Sequence, residues 1–420
     1  MSQNISSKKQ KSRLWQFPWG YRESFLIAFF LLLTGFLIEL LLGGGVSMPG
    51  WPINMAIIFI FIIYFVLIHF LVKHPIVKWL SSTQAAIASV TGFTVMVLLL
   101  GFIPQGVNDM NEPRLIDYLG LTHVTSSWPY LMSALYLLVV LGFTIIRRLK
   151  SFTVKNIAFL LNHLGLWIVV VAASLGSSDT WNLSMQLETN HPVITAYDGQ
   201  GNAYNMGFGM LLLDFEIEEY PAEIGLMRNA DYTLKMEKAG KLATVQEGTT
   251  EKLENYTLSF EKYIPFARKY GDYYDTTSIR GAARAAYVVV KDDRSTIVAE
   301  GWVSDGSYDV DASYLRINDE LSLAMVRIRP KKYSSDIRVY KSVEDFEDFH
   351  IEVNKPVTIN GWKIYQTGYD DSMGRWSEIS IIELVRDPWL PTVYVGIFMI
   401  LFGTLYLLWM GKGRIKTKKA

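Results

Sequence analysis

Hydrophobic positions along the chain fall into two regimes. Six segments, about 24–43, 53–72, 83–103, 128–146, 157–176 and 389–410, are apolar nearly throughout and almost free of charge. Each approaches or exceeds the roughly 20 residues that a helix needs to cross a bilayer core of about 30 Å. Between the fifth and sixth segments the pattern changes. Runs such as Tyr256-Thr257-Leu258-Ser259-Phe260 and Lys363-Ile364-Tyr365-Gln366 alternate apolar and polar residues with period two, and so does the stretch after Leu211-Leu212-Leu213. Turn signals separate them at Asp198-Gly199, Asp305-Gly306 and Asn360-Gly361. Such alternation predicts an antiparallel β-domain of about ten or more strands. The stretch 264–284, crowded with aromatic and charged residues, is expected to be a loop. Residues 1–14 are expected to be disordered.

The pattern predicts a multi-pass α-helical membrane protein of six transmembrane helices with a large all-β extracytoplasmic domain. Its parts are a cytoplasmic N-terminal segment (1–23), two leading helices (24–72), a core of helices three to five (80–176), the β-rich domain (177–388), a final helix (389–410) and a basic cytoplasmic tail (411–420). The first span follows some twenty mostly polar and basic residues, and no small-residue cleavage site comes after it, so it does not read as a cleavable signal peptide.

Charge sets the expected orientation. Lys8, Lys9, Lys11 and Arg13 precede span one, Lys73 and Lys78 follow span two, Arg147, Arg148, Lys150 and Lys155 follow span four, and Lys412 to Lys419 close the chain. The opposite short loops carry Asp109, Glu112 and Asp117 with Arg114 alone among basic residues. By the positive-inside rule both termini are cytoplasmic and residues 177–388 lie outside. Trp51, Trp128, Trp181 and Trp389 stand near the outer helix ends, as an aromatic belt does. Within its 420 residues the chain has no net formal charge, which gives no reason to expect a nucleic-acid partner. It also has no cysteine, which excludes thiol chemistry, disulfides and a thioether-linked cofactor on this chain. Walker, nucleophile-elbow and dinucleotide-binding motifs are absent, and no catalytic residue is assigned.

Of six histidines, His163 is the main candidate. It lies inside span five, about 10 Å from the cytoplasmic end by helical rise. An ionisable residue within a span points to function, and a neutral imidazole is an axial ligand for haem iron. The alternative is a histidine hydrogen-bonded to a neighbouring helix. His69, in span two at a depth of about 6 Å, is a candidate second ligand in the same leaflet, or else an interfacial histidine reaching for water. His74 reads as solvated. His123, His191 and His350 have no clustered partner in the sequence and read as structural, and no spacing points to zinc. Glu39, near the outer end of span one, reads as a side chain that snorkels to the interface.

Four blocks in order carry a resemblance. Gly101-Phe102-Ile103-Pro104-Gln105 closes span three. Leu119-Gly120-Leu121, Ser126-Ser127-Trp128 and Arg147-Arg148 frame span four. His163-Leu164-Gly165-Leu166 lies in span five. Asn360-Gly361-Trp362-Lys363-Ile364-Tyr365-Gln366-Thr367-Gly368-Tyr369-Asp370 leads to Arg386-Asp387-Pro388 and Val393-Tyr394-Val395-Gly396. Together they resemble the ResB family of bacterial cytoplasmic-membrane proteins over about residues 80–412. The resemblance implies a haem-handling subunit of a system II cytochrome c synthase. Such a subunit works with a CcsA/ResC-type membrane partner to move haem b from the cytoplasmic side outward, in transit to the Cys-x-x-Cys-His of apocytochrome c. The family's intramembrane ligand maps onto His163 and not onto His69, because the two leading helices lie outside the matched core. A membrane receptor or a scaffold with an outer interaction domain is the competing reading.

Overall fold

The computed structural model describes residues 14–71, 73–106, 114–150, 152–234, 242–327, 329–342 and 344–414. The basic residues at 8–13, Asp109 and Glu112, and the tail beyond 414 lie outside them, as does most of the segment expected to be disordered. The chain divides into two compact units, residues 1–180 with 387–420, and residues 181–386.

The first unit is helical. Its helices are α1 (Tyr21–Leu42), α2 (Ile53–Leu71), α3 (Pro75–Leu80), α4 (Thr83–Phe102), α5 (Leu115–Tyr118), α6 (Trp128–Leu149), α7 (Ile157–Leu175) and α8 (Leu390–Arg414). Among the described residues α1, α2, α4, α6, α7 and α8 are long and apolar enough to cross a membrane. Their ends follow local chemistry. The Ser82 hydroxyl accepts from the Ala85 amide at the start of α4, and α4 stops before Ile103-Pro104, where the residue preceding proline leaves helical geometry. Gly43, Gly44 and Gly45 all take positive φ after α1, which glycine accepts without a Cβ clash. Asp387 accepts from the amides of Trp389 (2.9 Å) and Leu390 (3.0 Å) to open α8. Span four is longer than its apolar run suggests, because Arg147 and Arg148 sit in the last turn of α6.

Burial ranks the helices. Two thirds of the apolar window of α6 is buried inside the unit, against about one tenth for α2 and α8. The helix α6 is therefore the hub, while the outer helices show their apolar faces outward. Small residues let backbones approach, as membrane helix pairs require. A Cβ on Gly165 of α7 would meet the Gly396 carbonyl at 2.6 Å, and one on Gly396 of α8 would meet the Gly165 carbonyl at 2.7 Å. The contact is reciprocal, so substituting either glycine forces the two helices apart.

The second unit is β. Its largest sheet has eight strands in the order Phe346–Glu352, Pro330–Tyr340, Ala203–Glu219, Val193–Tyr197, Trp181–Glu188, Ile379–Arg386, Trp362–Tyr369 and Val357–Ile359. The unit's first and last strands are neighbours here, with Trp181 opposite Arg386. A second sheet orders Ile297–Ser304, Ala283–Lys291, Tyr256–Tyr270 and Thr250–Leu253, with Tyr273–Thr276 also on the long strand. A third orders Leu315–Arg316, Leu321–Met325, Glu223–Arg228 and Ala243–Thr244. The alternation in the sequence becomes the core. Leu183, Met185 and Leu187 of the first strand, Ile364 of the hairpin, and Ile382 and Leu384 of the last strand all point inward. Asn360 and Gly361 both have positive φ, as a two-residue hairpin turn requires.

One expectation is overturned. Most of 264–284 is not a loop. The strand Tyr256–Tyr270 runs through it, turns at Gly271 and returns as Tyr273–Thr276. Ile264, Ala267 and Tyr274 face inward and pack with Ala285, while Lys269 and Asp275 stay exposed and Arg268 is half-buried. The charged open face hides a short buried face in the sequence.

Candidate functional site

His163 sits two turns into α7, beneath the close approach of Gly165 to α8. Its Nδ1 lies 2.8 Å from the carbonyl oxygen of Phe159, one turn back. A carbonyl only accepts, so Nδ1 carries the hydrogen and donates. In the neutral ring Nε2 then keeps its lone pair, the arrangement typical of a histidine ligand whose other nitrogen is fixed by a hydrogen bond. The ring stacks on Phe159, with centroids 3.7 Å apart and planes 21° from parallel. Phe159 in turn lies under the Arg148 guanidinium at 4.9 Å. This column fixes the ring's orientation.

His163 lines a cavity of about 260 Å³ whose surface is mostly apolar. Ala86 and Ser89 of α4, Leu141 and Thr144 of α6, Leu166 of α7 and Ile400 of α8 are among its other walls. Two polar groups at or near it lack partners among the described residues, the buried hydroxyl of Thr144 and the buried Nε of Arg148. Buried polar groups are nearly always hydrogen-bonded, so an orphaned Thr144 hydroxyl on the wall of an apolar cavity marks a place where a ligand atom can be held. Asn162, also on the wall, accepts instead from the Thr404 hydroxyl at 3.2 Å and helps tie α7 to α8.

His69 is half-buried on α2, edge-on to Phe70 at 5.4 Å, and is not among the residues lining this cavity. The structure gathers His163 with Thr144, not with His69. His74 is exposed and caps α3, its Nδ1 accepting from the Ile76 amide at 3.3 Å.

Two histidines without partners in the sequence acquire them in the fold. His123 Nε2 lies 3.0 Å from Glu39 Oε1. Glu39 does not snorkel: it is 1 % exposed and also accepts from the Gly45 amide at 3.1 Å and the Trp128 amide at 2.9 Å. Its carboxylate thus serves α6 as an N-terminal cap supplied by another helix. The only sequence signal was an acid inside a span facing a loop that holds a histidine. His350 pairs with Asp336 at 2.7 Å and Glu352 at 3.3 Å across two strands of the large sheet. The hydrogen bond to Asp336, with help from Glu352, holds its pKa above the ordinary histidine value. A further acid, Asp179, gathers the Trp51 amide (2.8 Å), the Asn54 amide group (2.8 Å) and the Trp389 indole N–H (2.6 Å), joining the ends of α2, α7 and α8.

No curated protein matches the chain. The model of the ResB-like family matches residues 153–382. That match covers more than half of the chain, from just before α7 with His163 to the last strand of the β-rich unit, and leaves out His69. The His163 block and the Asn360–Asp370 hairpin fall inside this match, the blocks at 101–105 and 119–148 lie before it, and the chain belongs to the ResB-like family.

Proposed function

We propose that this protein is the haem-handling subunit of a system II cytochrome c synthase. Family membership connects it with c-type cytochrome biogenesis. The single observation that carries the finer reading is His163, which lines an apolar cavity with Nδ1 committed to a carbonyl and Nε2 making no hydrogen bond among the described residues. Nε2 would serve as an axial ligand to the iron of haem b in transit, and the Thr144 hydroxyl would donate to a polar edge of that substrate. The cavity is smaller than the roughly 300–1,000 Å³ of a complete small-molecule pocket. It therefore takes part of the porphyrin, and a partner's surface covers the rest.

In this reading the partner is a CcsA/ResC-type membrane protein, and it supplies the second iron ligand in preference to His69. The Lys and Arg distribution supports termini on the cytoplasmic side of the bacterial inner membrane and a β-rich unit outside, where apocytochrome c would be presented. The chain would bind and orient haem, and the bond-forming step would belong to the complex. Membrane receptor and scaffold readings need no ligand nitrogen in a span.

The test is the visible spectrum of the complex purified with its partner. His163→Ala lowers haem occupancy at an unchanged membrane level, and added imidazole restores part of it by supplying the missing nitrogen. Normal occupancy in His163→Ala assigns the histidine a structural task and removes the main support for this function.

A further inference from the structure

The β-rich unit holds a groove that the proposed function leaves unused, walled by five basic and five acidic side chains. At its base lies an ion triad. Arg284, with a side chain about 10 % exposed, pairs with Asp305 at 2.5 Å and with Glu219. Two carboxylates on one guanidinium leave the triad with an excess of negative charge.

Arg375 stands beside the triad in the connection between the strands Trp362–Tyr369 and Ile379–Arg386. Its guanidinium lies over Phe266 at 4.4 Å and against Trp376 at 5.3 Å. Its Nη2 donates to the carbonyls of Pro265 (2.6 Å) and Ala282 (3.1 Å). Among the described residues no carboxylate is within ion-pair distance of it, and its Nε and Nη1 make no hydrogen bond. Burial and the Arg284 charge hold its pKa below the ordinary arginine value. The surrounding loop is stapled in place by the Trp376 indole, which donates to the Ala282 carbonyl at 3.1 Å.

Three cavities, of about 250, 380 and 530 Å³, adjoin this guanidinium, and Arg375 lines all of them. Arg327 and Arg329 border the second. Phe215, Ile217, Phe266 and Trp376 wall the third together with Glu216, Glu218 and Lys332, and its volume falls in the range of small-molecule sites. We propose that this groove binds a small aromatic carboxylic acid, with its carboxylate on Arg375 and its ring along the wall of Phe215, Phe266 and Trp376.

Charge selects the head group. A carboxylate takes the donors that the protein leaves open, in charge-assisted hydrogen bonds. A dianion such as phosphate meets Glu219 and Asp305 on the same groove and is repelled more strongly than a monoanion. The aromatic wall selects a flat body. This inference is independent of haem handling, because it uses no residue of the His163 cavity.

The experiment is calorimetric titration of the full-length protein in detergent with 2-naphthoate, and separately with 2-naphthamide, which keeps the ring and loses the charge. Saturable binding of one naphthoate per chain is expected, with no saturable binding of the amide. Arg375→Gln, melting like the parent, weakens naphthoate by at least about tenfold, the loss expected for a charged hydrogen bond. Absence of saturable naphthoate binding, equal binding of the amide, or unchanged affinity in a folded Arg375→Gln overturns the proposal. Arg375 also ties two strands together, so a variant that does not fold leaves the decision to the comparison of acid and amide on the parent protein.

Discussion

Replacing Glu39 by alanine tests whether a buried carboxylate holds the helical unit together at one end. The side chain is 1 % exposed and accepts from the Gly45 amide, the Trp128 amide and the His123 ring. Alanine leaves two backbone N–H groups without a partner, each costing about 1–3 kcal/mol when buried. His123, with about 31 % of its side chain exposed, turns to solvent and adds little. Packing is lost as well, since the Glu39 side chain fills the space against the backbone of Gly120. The total is about 3–5 kcal/mol, the usual cost of breaking a buried charged network by removing one partner. Glu39→Gln keeps one acceptor oxygen but turns an NH₂ group toward existing donors, so about half of that loss is expected. The assay is the fraction of protein that stays monodisperse in detergent after heating. A drop in midpoint on the order of 10 °C corresponds to this loss. An alanine variant melting within about 2 °C of the parent would show that water satisfies the Gly45 and Trp128 amides, and the buried-cap argument would fail.

Asp179→Ala removes three hydrogen bonds that join α2, α7 and α8, and a loss of about 2–4 kcal/mol is expected; equal melting of variant and parent would contradict it. His350 has a pKa raised by Asp336 and Glu352, so its contribution to stability is full below the unfolded value of about 6.5 and disappears as pH rises through the folded value. A ring proton resonance that titrates at or below about 6.5 refutes that sign, and His350→Asn flattens the corresponding part of the stability profile. If the Lys and Arg distribution sets the orientation, a reporter active only outside the cytoplasm is silent after residue 415 and active at residue 300; activity at both sites, or at neither, overturns that orientation.

What the sequence revealed and what it hid divide by range. The six apolar helices were legible because apolar length is a local property, and the Asn360-Gly361 hairpin because its turn chemistry is local. His163 was legible as a polar residue in a span. Its cavity was not, since the walls come from α4, α6, α7 and α8 and the orphaned Thr144 hydroxyl has no sequence signature. The Glu39–His123 pair joins residues 84 positions apart, so each looked unremarkable alone. The hidden strand pair in 264–284 shows a different failure. Its exposed face is so rich in Lys, Arg and Asp that three buried side chains were not enough to reveal the alternation.

The pairing of the β-rich unit's first and last strands bears on the order in which the molecule is made. Trp181 meets Arg386 only after some two hundred residues have emerged, and α8 follows immediately. During synthesis α7 therefore waits in the membrane with its Gly165 groove uncovered, because the glycine that fills it, Gly396, belongs to the last helix. Ile400, one wall of the His163 cavity, arrives at the same moment. A chain interrupted anywhere in the β-rich unit thus carries the histidine but not the closed cavity around it. The cavity depends on α8 having been made, and His163 has its full wall only from then on.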